Sequence, residues 1–255
     1  MQRFRASDGA ELAHSERGSG SPAILFVHGW QADSSVWRPI IDALGSAHTV
    51  TVDLRGSGES AEAAGPYTLE RYATDLREVI EGLEIAPVVL VGHSMGATAG
   101  LRLAVDAPQL VRALVLIAPV PASGGGYSAN GEAHLKSTAG APVAVRKWLA
   151  RTFAGTPEET ALEQLCAAAA KTGRETALES FESWAHADFA EATRTIGVPV
   201  LVVAPQHDNP EISESKVAAL LPNARHIVLR DCAHYAIVEK PHEIAEMIAT
   251  FETAK

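Results

Sequence analysis

The sequence predicts an α/β protein whose core is a doubly wound, mostly parallel sheet. Short apolar segments alternate with amphipathic helical segments along most of the chain, and the connections between them are short. The apolar segments show no polar alternation, which is typical of strands that are buried on both faces of a parallel sheet. A chain of 255 residues with 47% hydrophobic residues can bury a core of the size that this fold needs.

Residues 1–120 are predicted to supply six strands. A small hairpin opens the chain, because a polar turn with glycine, Ser7-Asp8-Gly9, separates two short segments at residues 4–5 and 11–14. Ser34 and Ser35 are predicted to cap the first helix, which continues to residue 44. The remaining elements are strands at residues 23–27, 49–52, 88–91 and 111–118 and helices at residues 68–83 and 97–105.

The alternation stops after the sixth strand and returns near residue 197. We interpret residues 121–196 as a helical insertion, and residues 1–120 together with 197–255 as the core that carries the sheet. The insertion is predicted to contain no strand and to have helices at residues 142–153, 157–171, 174–184 and 189–196. Strands at residues 198–203 and 225–229 and helices at residues 213–221 and 241–254 complete the core.

Residues 88–97 combine a strand, a sharp turn and the start of a helix around one serine. Four apolar residues lead into Gly92-His93-Ser94-Met95-Gly96, and small residues at helical spacing follow. This pattern is typical of a nucleophile elbow. Glycine is needed two places before and after the serine because a larger side chain would collide with the neighbouring strand or helix. The sequence therefore predicts Ser94 as a nucleophile.

A serine hydroxyl is a weak nucleophile until a base takes its proton and an acid orients that base. In the chain order that this architecture uses, the acid follows a late strand and the base follows the last strand. Asp208 and His234 stand at these two places. Because open α/β sheets place their sites at the carboxyl ends of the strands, we predict Ser94, Asp208 and His234 as catalytic residues.

With these motifs in this order, the chain resembles the α/β-hydrolase-fold enzymes of the esterase, lipase and perhydrolase-like branch. The matching segments span nearly the whole chain outside the insertion. They are His28-Gly29-Trp30, the glycine-rich loop at residues 53–60, the elbow at residues 92–96, and the segments at residues 206–208, 233–235 and 239–241.

The resemblance implies further features of the site. The backbone N–H groups of Trp30 and Met95 would form the oxyanion hole, and the insertion would form a cap domain that covers the pocket and determines substrate choice. Aromatic and histidine side chains near these positions are candidates for the pocket wall. The candidates are His28, His93, Tyr127, Trp148, Trp184 and Tyr235.

Charge and motif content argue against several other classes of partner. The net charge is −10, from 21 basic and 31 acidic residues, so nucleic acid and anionic membranes are not expected as partners. Neither metal-ligand spacings of the His-x-x-x-His or Cys-x-x-Cys type nor a dinucleotide fingerprint occurs in the sequence, and we predict no metal and no cofactor. Without a signal-peptide pattern, the expected location is cytoplasmic. A monomer and a homodimer both remain open.

These observations predict a cofactor-independent serine hydrolase that cleaves a carboxylic ester with a small or medium acyl group. His234 would take the proton of Ser94, Asp208 would orient the imidazole, and water would then hydrolyse the acyl-enzyme. The same residues serve lactonases, thioesterases, C–C bond hydrolases and perhydrolases, which remain as alternatives. A cofactor-free dioxygenase and a non-catalytic ligand receptor on the same fold are further alternatives.

Overall fold

The computed structural model describes residues 1–208, 217, 220, 221 and 224–253, and within these residues eight strands form one sheet. The strands are β1 (Gln2–Arg5), β2 (Glu11–Arg17), β3 (Ile24–Val27), β4 (Thr49–Val52), β5 (Val88–His93), β6 (Val111–Ile117), β7 (Val200–Pro205) and β8 (Ala224–Leu229). They lie in the order β1-β2-β4-β3-β5-β6-β7-β8. β1 pairs antiparallel with β2, and β2 pairs antiparallel with β4. All the other pairs are parallel, which confirms the predicted doubly wound, mostly parallel sheet.

Helices follow most of the parallel strands. The described α-helices are α1 (Arg38–Ala43), α2 (Leu69–Gly82), α3 (Met95–Asp106), α4 (Ala129–Lys136), α5 (Pro142–Ala150), α6 (Glu159–Lys171), α7 (Arg174–Ala185), α8 (Ala236–Glu239) and α9 (Pro241–Thr253). None of the helices in the described part of the chain is long and apolar enough to cross a membrane. The helix predicted at residues 213–221 lies largely outside the described residues, as does the end of the last predicted helix at residue 254.

The packing of β3 explains why the apolar segments are unbroken. Leu25 and Val27 belong to a buried cluster that includes residues of α2 and α3 on one face of the sheet. Ile24 and Phe26 belong to a second buried cluster that includes residues of α1 and α9 on the other face. Since both faces of the strand are covered, every position along it is apolar.

The first helix begins differently from the prediction. Asp33, not Ser34 or Ser35, is the capping residue, and its side chain accepts a hydrogen bond from the Ser35 N–H at 3.0 Å. A 3₁₀ turn at Ser34–Trp37 precedes α1. Pro39 has no N–H to donate to the Ser35 carbonyl in the α-helical pattern, and the N–H of Arg38 donates to that carbonyl instead. The predicted continuous helix is therefore two shorter pieces.

Residues 121–196 contain no strand, as predicted, but their helices differ in part. The helix α4 was missed because Gly131 and short polar residues weaken its local signal. Its start is fixed by Ser128, whose side chain accepts from the Gly131 N–H at 3.2 Å. The last predicted helix of this segment is a 3₁₀ helix at Ala190–Thr195. The division of the chain into a core and a cap domain stays a prediction.

Gly96 lies where α3 closely approaches the end of β3, and it offers a test of this packing. A Cβ at Gly96 would lie 2.3 Å from the carbonyl oxygen of His28 and 2.4 Å from that of Val27. Because backbone atoms would have to move, Gly96→Ala is expected to lower the free energy of unfolding by about 1–3 kcal/mol in urea unfolding. The control is Gly155→Ala, whose Cβ would meet nothing within 4 Å. Equal effects of the two variants would contradict this account.

Candidate active site

Ser94 lies at the turn between β5 and α3. Its backbone has φ 53° and ψ −125°, in the left-handed half of conformational space that residues with a side chain rarely adopt. The Ser94 N–H donates to the carbonyl of Ile117 on the neighbouring strand at 3.0 Å. Ser94 is 7% exposed. The turn therefore holds the serine in one strained position at the carboxyl edge of the sheet.

Gly92 shows the same close approach on the other side of the serine. A Cβ at Gly92 would lie 2.5 Å from the Cα of Ala97, at the start of α3. Gly96 meets the backbone of β3 in the same way. The two glycines let the strand and the helix approach closely enough to form the turn, for the reason that the sequence pattern predicts.

Ser94, His234 and Asp208 form a continuous chain of hydrogen bonds. His234 Nε2 lies 3.1 Å from Ser94 Oγ, and His234 Nδ1 lies 3.1 and 3.0 Å from the two carboxylate oxygens of Asp208. Because an ionised carboxylate only accepts, Nδ1 carries the proton and Nε2 can accept from the serine hydroxyl. The side chains of His234 and Asp208 are 13% and 4% exposed. The structure thus brings together the three residues predicted as catalytic.

The loops that carry Asp208 and His234 are bound to each other and to the segment after α5. The His207 N–H donates to the Cys232 carbonyl at 3.0 Å, which connects the two loops. Glu239, the last residue of α8, accepts from the Ala233 N–H at 2.8 Å and from the Ala154 N–H at 2.9 Å. This role of Glu239 was not predicted, because the bond to Ala154 joins residues that are 85 positions apart in the chain.

His93 is buried directly behind His234. Its Nε2–H donates to the His234 carbonyl at 2.8 Å, and the two rings lie 4.9 Å apart between centroids. Burial, together with the positive charge that His234 can carry, lowers the pKa of His93 to about 3. His93 is therefore a neutral donor that holds the backbone of His234.

The loop predicted to supply one oxyanion donor passes close to Ser94. A Cβ at Gly29 would lie 3.1 Å from the Cβ of Ser94, and Trp30 follows directly. On the other side of the serine, Met95 is the first residue of α3, so its N–H is one of the four that have no intrahelical partner. Both predicted donors thus lie in segments that adjoin the serine.

Two hydrogen bonds join this loop to residues 121–196. The indole N–H of Trp30 donates to the carbonyl of Ala177 on α7 at 2.9 Å. The side-chain amide of Gln31 donates to Thr138 Oγ1 at 2.9 Å, and Gln31 has φ 52°. Gln31 and Thr138 were not predicted, since they have no sequence signal apart from this long-range contact.

His28 does not line the cavity, although it was predicted to be part of the pocket wall. It is 0% exposed and is not among the residues that line the cavity beside Ser94. Its Nε2 accepts from the Leu54 N–H at 2.9 Å, and its Nδ1 therefore donates to the Gly29 carbonyl at 2.9 Å. His28 holds two loops together, and its assignment to the pocket wall is wrong.

A cavity of about 450 Å³ lies beside Ser94. Its wall includes five of the predicted pocket residues, His93, Tyr127, Trp148, Trp184 and Tyr235. Trp30 also lines it, with its ring centroid 5.4 Å from that of Trp148 and 5.8 Å from that of Trp184. The wall also includes residues that were not predicted to line it, namely Gly131, His134, Leu135, Arg151, Thr152, His207 and Ala233. Within the described residues, no group of three or more His, Cys, Asp or Glu side chains is arranged to hold a metal ion.

A mostly parallel sheet with a serine at a strand–helix turn and a histidine on a later loop is the architecture of hydrolases with a nucleophile elbow. The model of the alpha/beta hydrolase family matches residues 24–247, and the chain belongs to this family. The matched range runs from β3 into α9, so it contains the sheet from β3 onward, the insertion and all three residues of the hydrogen-bonded chain.

Three individual relatives are between 25% and 35% identical to this chain in the aligned residues. A protein named carbamate hydrolase RutD from Azorhizobium caulinodans is 28% identical over 256 residues, and the alignment covers 95% of each chain. The dihydrolipoyllysine-residue acetyltransferase component of the acetoin cleaving system of Cupriavidus necator is 35% identical over 119 residues, which is 46% of this chain and 32% of that protein. The crystal structure of the enol-lactonase from Burkholderia xenovorans LB400 is 25% identical, with a TM-score of 0.88 over 99% of this chain and 100% of that chain.

His93 makes the stability of the protein depend on pH in a defined direction. Between its folded pKa of about 3 and its ordinary value of 6.5, the unfolded chain binds more protons than the folded one. The free energy of unfolding therefore decreases as the pH falls through this window, with about 1.4 kcal/mol per pH unit as the upper limit from one group. Urea unfolding of His93→Gln, which keeps an N–H donor, is expected to show a shallower slope against pH than the parent protein.

Other groups also contribute to the slope, since burial lowers the pKa of His14 as well. Because both proteins keep these groups, the difference between their two slopes reports on His93. The matched control is His134→Gln, because His134 is exposed. A slope in His93→Gln equal to that of the parent would contradict the assignment.

Proposed function

We propose that the protein is a serine esterase that hydrolyses a carboxylic ester through an acyl-enzyme. The observation that carries this proposal is the hydrogen-bonded chain from Ser94 Oγ through His234 to Asp208. All three residues line the same cavity. A strained serine with a base at 3.1 Å, itself oriented by a carboxylate, is the arrangement that activates a hydroxyl for attack on a carbonyl carbon.

In the first half of the proposed reaction, Ser94 Oγ attacks the ester carbonyl while its proton moves to His234 Nε2. The imidazolium that forms is stabilised by Asp208, which keeps the ring in the tautomer that can accept a proton. The tetrahedral intermediate then collapses, and His234 gives the proton to the departing alkoxide. The products of this half are the alcohol and an acyl group esterified to Ser94.

In the second half, water takes the place of the alcohol. His234 accepts a proton from the water as it attacks the acyl carbon, and the same proton returns to Ser94 Oγ when the acid leaves. The sum of both halves is one ester and one water converted into one acid and one alcohol. The imidazole acts as base and then as acid in each half.

The developing negative charge on the carbonyl oxygen needs donors that are already in place. The backbone N–H groups of Trp30 and Met95 are proposed for this role, since both segments adjoin Ser94 and Met95 begins a helix. The hydrogen bonds from Trp30 to Ala177 and from Gln31 to Thr138 support it, because they restrict the movement of the loop.

Residues 121–196 are proposed to be the cap that selects the substrate. Tyr127, Trp148 and Trp184 come from this segment and contribute to the cavity wall. A cavity of about 450 Å³ with this wall suits a small or medium acyl group. We further propose that the reaction requires no cofactor and takes place in the cytoplasm.

Lactones are the second candidate class of substrate. The observation that favours them is the likeness to the enol-lactonase, which extends over 99% of this chain. A lactone is a cyclic ester, so the same steps open the ring and release a single product. The relative named as a carbamate hydrolase is compatible with the same chemistry, since a carbamate also has a carbonyl carbon bonded to oxygen.

Replacing the proposed nucleophile tests the function. Ser94→Ala is expected to lose ester turnover by several orders of magnitude, because no other group can form the acyl-enzyme. Turnover is measured on a graded panel of short to long acyl esters, lactones and thioesters, which also ranks the substrate classes. The control is Ser19→Ala, an exposed serine outside the cavity. Unchanged turnover in Ser94→Ala, with folding intact, would exclude the proposed function.

A further inference from the structure

The cavity beside Ser94 contains a charged group that the proposed mechanism does not use. Among its lining residues, the formally charged side chains at neutral pH are Asp208 and Arg151. Asp208 is buried and bound to His234, whereas Arg151 is exposed and forms no ion pair with any described residue. The cavity therefore presents an available guanidinium in a protein whose net charge is −10.

The backbone of Arg151 is tied to the loop that carries the catalytic histidine. Its N–H donates to the Trp148 carbonyl at 2.9 Å, at the end of α5. The carbonyl of Thr152, the next residue, accepts from the N–H of Tyr235 at 3.3 Å, and Tyr235 directly follows His234. The backbone that carries the Arg151 side chain is thus anchored relative to the proposed site of ester cleavage.

The two basic residues that precede Arg151 in the sequence, Arg146 and Lys147, do not line the cavity. Arg146 on α5 is bound to Glu159 at 2.6 Å. The carboxylate of Glu239 accepts from two backbone N–H groups, of Ala154 and Ala233. Arg151 is therefore the side chain of this segment that can bind an anion inside the cavity.

We propose that the substrate is an anionic ester, whose acyl chain ends in a free carboxylate that Arg151 binds while Ser94 attacks the ester carbonyl. A guanidinium offers two parallel N–H donors that match the two oxygens of a carboxylate. The aromatic wall formed by Trp30, Trp148 and Trp184 would pack against the methylene groups between the two ends. This inference rests on the proposed function and specifies its substrate class.

The test compares two esters that differ only at the end of the acyl chain. Monomethyl glutarate ends in a carboxylate, and methyl pentanoate ends in a methyl group. The parent protein is expected to have the higher kcat/KM for monomethyl glutarate, and added salt is expected to reduce this preference. Arg151→Gln is expected to raise KM for monomethyl glutarate about tenfold, with kcat nearly unchanged, because it removes binding that is equal in ground and transition state. Its kinetics on methyl pentanoate should stay within about twofold of the parent.

Two further variants separate this role from general effects of charge. Lys147→Gln removes one positive charge from α5, the helix that ends just before Arg151, but outside the cavity, and it is expected to leave the kinetics on both esters unchanged. Arg151→Lys keeps the charge and is expected to recover part of the preference. Equal losses of Arg151→Gln on both esters, an equal effect of Lys147→Gln, or no preference in the parent protein would each overturn the proposal.

A binding measurement separates this inference from the proposed function. Calorimetric titration with glutarate needs no turnover, and Arg151→Gln is expected to weaken binding about tenfold relative to the parent. If neither ester is hydrolysed but this loss is observed, the carboxylate subsite stands and the esterase proposal fails. If the esters are hydrolysed and glutarate binds both proteins equally, the subsite is excluded and the esterase proposal stands.

Discussion

The close approach of α3 to β3 and β5 determines the rest of the site. It is possible because Gly92 and Gly96 carry no Cβ where the backbones of the strands and the helix nearly touch. The turn between them forces Ser94 to φ 53°, and this strain is maintained by a sheet that is buried on both faces. The serine hydroxyl, the start of α3 and the loop after β3 therefore meet at one edge of the sheet.

The histidine and the carboxylate reach this edge through their own loops. β7 and β8 place Asp208 and His234 at their carboxyl ends, and hydrogen bonds between the two loops fix their separation. His93 adds a buried donor behind His234, and Glu239 connects the same loop to the segment after α5. These contacts hold the imidazole between the serine and the carboxylate, which lowers the reorganisation that the proposed reaction requires.

The sequence predicted the sheet and the Ser94, Asp208 and His234 constellation because their signals are local. An unbroken apolar segment reports burial on both faces, and the elbow motif reports a turn that only a narrow set of residues can form. The helix α4 escaped prediction because Gly131 weakens its pattern, and His28 was placed in the pocket because its bond to Leu54 is not visible in the sequence.

A second group of residues around the site is not reported by local patterns. This group includes Gln31, Glu239 and Arg151. Their contacts or positions form only when segments more than eighty residues apart in the sequence come together. Glu239, for example, binds Ala154 at a separation of 85 residues. Their roles follow from tertiary packing alone. The proposed substrate class therefore depends on contacts that sequence patterns do not report, whereas the proposed chemistry depends on motifs that they report well.

The proposed nucleophilic role of Ser94 is tested most directly by covalent labelling of the intact protein. Treatment with a fluorophosphonate, followed by intact-mass measurement and peptide mapping, is expected to give one adduct per chain, located on Ser94, because only an activated serine displaces the fluoride. The Ser94→Ala variant is expected to remain unlabelled under the same conditions. An adduct on another residue, or no adduct on a correctly folded protein, would contradict the account.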